Sequence, residues 1–367
     1  MRSRPRCRRK VSRAVPEMDW LKLTAGIEPL QDIVLNASLV GEMQCAAGTA
    51  DDIDFYTPSF KSYATSEIAS CSKSAWPAVS ITGPDCKLQC DHCKGRILAS
   101  MIPARTPEDL WRVVNQQIER GARGMLLTGG SNHRNEVEYD PYYSTIRNIK
   151  EAFPEFRIAL HTALVDRDMA QRMEDSGIDA AMMDVIGAQE TITQVYHLKR
   201  SVDDFERTLE NLVATRLKVV PHIVLGLHYG RFLGERVALE MLRRHQPSAV
   251  VLVVVMPFYA PAHRPFGVPG SLEVGRFFLD ARQALPDIPL LLGCARPAGQ
   301  AKAEIDTYAM MAGLNGIAHP ADGMVELAAR LGRKARIAAA CCSMAVGSEM
   351  VTESGLWAKS GASSIPA

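Results

Sequence analysis

The chain has 367 residues, 47% hydrophobic and 23% charged, an ordinary balance for a folded globular protein. At roughly 100–200 residues per domain, this is one large domain or two medium ones. Lysine and arginine number 42 against 41 acids, for a net charge of +1. That excludes the basic excess of a dedicated nucleic-acid binder, and no run approaches the ~18 apolar residues of a membrane span.

The chain opens on a charge asymmetry. Residues 1–13 carry seven cations and no acid, leaving the rest at −6. The tract lacks an apolar core and is no secretory signal. Residues 1–17 are expected to be a disordered basic tail, with Met18 as an alternative start; a nucleic-acid arm has the same composition. Residues 18–77, with a helical stretch over 18–42, are expected as an N-terminal extension covering a flank.

From residue 78 apolar runs alternate with amphipathic stretches. Strands are expected at 78–83, 124–130, 157–162, 180–185, 218–227, 249–257, 288–294 and 316–320. Helices are expected at 106–121, 141–152, 166–176, 201–216, 232–245, 271–284, 300–313 and 322–332. Thr106 caps the first of these helices, with Asp109 at the capping-box position. Eight strand–helix units in about 255 residues match the size of an α/β fold of the (β/α)8 TIM-barrel type over 78–334. The continuous apolar strands suit a parallel sheet buried on both faces; a doubly wound open sheet is the alternative. Asp85, Thr128–Ser131, His161, Asp184, His228, Arg296 and His319 follow strands, which in a barrel puts them on one rim. Residues 335–367 form a C-terminal extension ending in Ser, Gly and Ala.

Nine cysteines occur. In a chain of this length without a secretory signal they point to metal or catalysis rather than cross-links, and to a cytoplasmic setting. The sharpest motif is TGPDCKLQCDHCKGR, directly after the first strand, with Cys86, Cys90 and Cys93 spaced C-x3-C-x2-C. A loop of this size brings three thiolates around one face of a cubane, leaving one iron open, since such clusters usually take four cysteines. Zinc, which usually takes paired cysteines with a second pair elsewhere, and coincidence are the alternatives.

This motif after strand one of a βα barrel resembles the radical S-adenosylmethionine (SAM) signature, and the resemblance runs over roughly residues 78–330. It implies that Cys86, Cys90 and Cys93 ligate a [4Fe–4S] cluster whose open iron binds SAM. One-electron cleavage of SAM then gives a 5′-deoxyadenosyl radical. His92 stands where the family usually has an aromatic ring. Thr128, Gly129 and Gly130 resemble the strand end that receives the SAM ammonium. Ile223, in HIVLGLH, resembles the residue packing adenine, although the usual acidic residue is absent there. His161 and Asp184 could meet ribose or carboxylate oxygens, or be ordinary rim hydrogen bonds.

The remaining cysteines suggest a second, auxiliary cluster drawn from Cys71, Cys294, Cys341 and Cys342, with Cys45 a weaker candidate; small buried thiols are the alternative. Cys7 lies in the tail. A second cluster beside a SAM radical suits sulfur insertion. The whole chain looks biotin-synthase-like. FYTPSFKSY, VYHLKRSVDDFE, LGCARP and ACCS together resemble a radical SAM subunit of the two-component, archaeal-type lipoyl synthase. That resemblance implies sulfur insertion into an octanoyl chain on a lipoyl-carrier protein, a second radical SAM subunit, and a ferredoxin or flavodoxin-type electron donor. The ordinary lipoyl synthase's early C-x4-C-x5-C motif is absent. Ser343 resembles that enzyme's cluster-ligating serine, or is an ordinary helix-end serine. His263 and Arg264, in the loop 256–267, could face an acidic carrier. Against this stand another biotin-synthase-like enzyme (mutase or methylase) and a non-catalytic iron–sulfur scaffold. A barrel aldolase lacks a strand-end lysine in an apolar pocket.

Overall fold

Apolar runs of five to ten residues become short parallel strands, because the polar and glycine residues at their ends leave the ladder. The computed structural model describes residues 20–46, 52–59, 62–69, 74–256, 260, 262–344, 350–351 and 357–358. Its strands are β1 (Asp52–Tyr56), β2 (Ala78–Ser80), β3 (Ile102–Pro103), β4 (Gly124–Thr128), β5 (Arg157–His161), β6 (Ala180–Met182), β7 (Lys218–Val219), β8 (His222–Leu225), β9 (Val250–Val254), β10 (Leu290–Leu292), β11 (Gly316–Ala318) and β12 (Lys334–Ala338).

These form two parallel sheets, β3-β2-β4-β5-β6-β7 and β8-β9-β10-β11-β1-β12. Pro221, which has no N–H, breaks the ladder between β7 and β8. The path along β6 nevertheless continues: the Val220 N–H donates to the Ala181 carbonyl at 2.8 Å and the His222 N–H to Met183 at 2.7 Å. Successive side chains then part to opposite faces. Leu126, Met182, Val251, Ala318 and Ala338, from five strands, and Val220, in the link between β7 and β8, share one inner cluster. Leu127, Ile223 and Leu252, each one residue away from an inner position, join the core under the helices. A common inner cluster requires the sheets to curl around it, so the fold is a parallel α/β, TIM-type barrel-like one.

Two expectations change. Residues 18–77 were expected outside the sheet, yet β1 lies between β11 and β12, pairing Phe55 with Ile317 and with Ile337. The C-terminal extension likewise starts inside the fold, since β12 runs to Ala338. The run Asp52–Tyr56 is five residues with two acids, so it lacks the continuous apolar character that marked the other strands. The helical stretch 18–42 is also broken. It gives a helix at Trp20–Thr24, a 3-10 turn at Glu28–Leu30 and a helix at Ala37–Ala46. Gly26, at φ +77°, and Pro29 interrupt it. The helix at Ala37–Ala46 still covers the flank. It packs on the helices Ser271–Ala284 and Gln300–Met311, burying Leu39 and Met43 at about 2 kcal/mol each. No helix among the described residues is long and apolar enough to cross a membrane.

Candidate active site

The cysteine loop leaves β2 through a tight turn and is held against the end of β4. Thr82 Oγ1 accepts the Gly130 N–H at 2.7 Å and donates to the Asp85 carbonyl at 2.8 Å. The Lys87 N–H donates to the Ser131 carbonyl at 2.9 Å, and Cys86 Sγ lies 3.9 Å from that oxygen. Gly130 makes the approach possible: a Cβ there would sit 1.9 Å from the Asp85 carbonyl and 2.6 Å from Cys86 Cα. Gly95 closes the far end at φ +68°, with Cys86 Cβ 3.0 Å from where its own Cβ would lie.

Within this loop the Cys90 and Cys93 thiols share a hydrogen bond, which holds the Cys93 thiol well below its usual range. His92 acts in the same direction, and burial opposes both. The same pairing, with burial, pushes Cys90 up. Cys86, Cys90 and Cys93 are not gathered within 4.8 Å of one another; among the described residues only His161, Asp184 and His222 form such a group. A single tetrahedral zinc at ~2.3 Å from each sulfur would need that tighter set. Three thiols on one loop are the donor chemistry of an iron–sulfur cluster.

His161 ends β5, Asp184 follows β6 and His222 begins β8, so three neighbouring strands present one imidazole–carboxylate–imidazole group. His161 Nε2 is 3.7 Å from Asp184 Oδ1, and the two imidazoles stand 5.5 Å apart. Burial pushes the Asp184 carboxyl up, but His161, with His222 and His92, outweighs it and holds it at about 2. Burial, with His161 alongside, pushes His222 down to about 4 against the pull of Asp184. At neutral pH the site therefore offers an anion beside a neutral imidazole, able to meet hydroxyls, an ammonium group or an ion.

A second thiol group lies in the same interior. The chain after β12 turns inward. The 3-10 turn Cys342–Met344 touches β6 and β11, and Cys342, Cys341 and Cys294 pack in the inner cluster. Hydrogen bonding from Cys342 lowers the Cys341 thiol despite burial, with Ser343 and His161 adding to the effect. Cys342 is pushed up by Cys341 and by burial, with Cys294 also close enough to act on it. Ser343 is fully buried in that turn.

The sequence-predicted residues thus divide. Thr128, Gly129 and Gly130 flank the cysteine loop, and His161 and Asp184 meet. Cys294, Cys341 and Cys342 come together from separate segments. Ile223 does not join them: it is 1% exposed in the helix-facing core, because the strand alternation that turns His222 inward turns Ile223 outward. His222 was missed, although that same alternation carried the signal. Arg296 is buried in an ion pair with Asp306 rather than facing a ligand. His228 pairs with Thr191 at 3.2 Å, and His319 with the Pro58 carbonyl at 3.0 Å. Cys7 and Cys71 lie outside the described residues, as does the Cys45 side chain.

Residues 80–231 match the Radical SAM superfamily. The fold resembles HydG, a maturase of the [FeFe]-hydrogenase (TM-score 0.57, 13% identity, 84% of this chain and 70% of that one). It also resembles methylornithine synthase, PylB (0.51, 12%, 81% and 84%), and HydG from Carboxydothermus hydrogenoformans (0.51, 12%, 78% and 64%). At such identities the likeness is one of fold. No protein of curated function matches the sequence. Residues 80–231 thus carry a Radical SAM superfamily domain, and members of that superfamily are enzymes that work with a [4Fe–4S] cluster and SAM.

Proposed function

We propose that the chain is a sulfurtransferase of this class, inserting sulfur into an unactivated C–H bond of an octanoyl chain carried on a lipoyl-carrier protein. The observation that carries this reading is the second thiol group, Cys294, Cys341 and Cys342, inside the barrel beside His161. Cys86, Cys90 and Cys93 would hold the SAM-cleaving cluster; the second group, with Cys71 as a further candidate, would hold the auxiliary one. When bound, these groups supply one-electron cleavage of SAM, hydrogen abstraction, and a sulfide to be transferred.

The chain's own residues do the positioning. Gly129 and Gly130 let backbone approach a ligand beside the cysteine loop. Asp184, ionised, and His222, neutral, accept hydroxyl or ammonium protons between the two thiol groups. Val251, Leu291 and Met182 wall the interior with apolar surface, which keeps water from a reactive intermediate. Arg264, with His263 beside it in the loop after β9, offers a cationic contact to an acidic carrier. A second radical SAM subunit and a ferredoxin or flavodoxin-type donor complete the reading, in a cytoplasmic setting.

The test is anaerobic incubation of reconstituted enzyme with SAM, reductant and an octanoylated peptide, followed by mass analysis. The expected result is sulfur added to the peptide, with iron and sulfide each about eight per chain. About four of each, with 5′-deoxyadenosine released and no sulfur on the peptide, would instead favour a mutase or methylase.

A further inference from the structure

Asp91 sits between Cys90 and Cys93 and is 3% exposed. Its carboxylate gathers side chains from four segments. Oδ1 accepts from Lys94 Nζ at 2.5 Å and meets His197 Nε2 at 3.0 Å. Oδ2 lies 2.9 Å from the Tyr229 hydroxyl and 3.5 Å from Arg264 Nη1. Arg264 Nη1 also donates to that hydroxyl at 3.3 Å. The Asp91 N–H donates to the Val195 carbonyl at 2.9 Å.

Three of these partners share an unusual backbone. Lys94, His197 and Tyr229 have φ of +49°, +57° and +53°, a left-handed region that residues with a Cβ seldom occupy. Such conformations persist only where the surroundings over-determine them. Here each one presents its side chain to the same buried oxygen pair. An apolar residue would anchor the loop more simply, because a buried carboxylate needs its charge compensated. The arrangement places an anion, two cations and a phenol directly behind two cysteine ligands.

We propose that Asp91 is the positioning residue of the cysteine loop, fixing Cys90 and Cys93 against the loops that follow β8 and β9 and setting the electrostatic environment of the group they hold. This rests on the reading that Cys86, Cys90 and Cys93 hold a [4Fe–4S] cluster. Arg264, half exposed, is the opposing charge from the loop after β9, so the two residues should act on that group with opposite signs.

The experiment compares the reconstituted full chain with Asp91→Asn, Tyr229→Phe and Arg264→Ala. It reads iron content, the electron paramagnetic resonance of the reduced cluster, its midpoint potential, and 5′-deoxyadenosine formed from SAM. Asp91→Asn is expected to leave a cluster with an altered spectrum and a more positive potential, because Lys94 and Arg264 lose their counter-charge. SAM cleavage should fall about 10–100-fold, the usual scale for losing a group that orients metal ligands. Arg264→Ala should shift it the opposite way, and Tyr229→Phe, which removes a donor that screens the Asp91 charge, should shift it in that same opposite direction by less. If Asp91→Asn lowers thermal stability but keeps the wild-type spectrum, potential and cleavage rate, the role is structural and the proposal is overturned. If Asp91→Asn does not fold, the other two variants decide, and wild-type behaviour in both overturns it. A wild-type protein with no four-iron signal would bring down the cluster reading itself, and this proposal with it.

Discussion

The two thiol groups are built in opposite ways. Cys86, Cys90 and Cys93 lie on one loop of eight residues, fixed by local turns, by Gly95 and by the contact with Gly130. Cys294, Cys341 and Cys342 come from two segments more than forty residues apart, and they meet only because the chain after β12 folds back into the interior. A site encoded by spacing is present once its loop closes. A site encoded by topology exists only when the whole sheet is assembled.

The largest effect expected separates them by chemistry. Replacing Cys86, Cys90 or Cys93 by Ala should abolish SAM cleavage altogether, measured as 5′-deoxyadenosine after anaerobic reduction. Full turnover in any one of the three would refute the assignment. The Cys341→Ser, Cys342→Ser double variant should do the reverse: SAM is still cleaved, about half the iron is lost, and no sulfur reaches the substrate. If that variant makes product normally, the second group is a set of small buried side chains and nothing more.

A third variant tests whether topology really carries the second group. Arg296 follows Cys294 by two residues and is the strut of that loop. Its guanidinium is bonded to Asp306, donates to the Gly293 carbonyl at 2.7 Å and to His319 at 2.8 Å, and is almost completely buried. Arg296→Met leaves Asp306 with Lys302 and the Ala321 N–H, and breaking a buried pair in this way costs about 3–5 kcal/mol. Burial pushes the Asp306 carboxyl up, but Arg296 and Lys302 outweigh it and hold it below its usual range. That stability is therefore present above the ordinary carboxylate range, ~3.9, and is lost as pH falls through the lower folded value. Thermal melts of the variant should show a lower midpoint and a weaker acid dependence. Iron held by the Cys86–Cys93 loop should remain.

How much of this was legible follows from the same contrast. The three-cysteine loop, the apolar strands β2 and β4 to β11 and the capped helices are local patterns, visible in spacing and periodicity; the two-residue β3, Ile102–Pro103, was too short to show. β1 was not, because a sheet position between β11 and β12 depends on neighbours more than 250 residues away, and Asp52 and Asp54 disguise the run. Ile223 was misjudged by one residue, since a period of two puts neighbours on opposite faces and the resemblance fixed the motif but not the register. Of the six cysteines between the tail and the C-terminal pair, the sequence offered Cys71 and Cys294, with Cys45 weaker, as partners for that pair but could not choose among them; Cys294 meets it, through the fold of the sheet. Asp91 was invisible for a related reason, since its partners Lys94, His197, Tyr229 and Arg264 are spread over 170 residues.

The smallest effect expected is a control on all of these. The helix Val202–Val213 begins with a full capping box: Ser201 Oγ accepts the Asp204 N–H at 3.3 Å, and Asp204 Oδ2 accepts the Ser201 N–H at 2.8 Å. Ser201→Ala removes one half of that exchange, worth about 0.5–2 kcal/mol. The helix packs through Phe205, Leu209 and Leu212; Phe205 lies in the apolar cluster that includes Cys90, and none of the three shares a cluster with Cys294, Cys341 and Cys342. The variant should therefore melt a few degrees lower while holding the same iron and cleaving SAM at the same rate. A loss of iron from so modest a change would mean that assembly of the second thiol group responds to global stability, and the distinction between a site set by spacing and one set by topology would become one of degree.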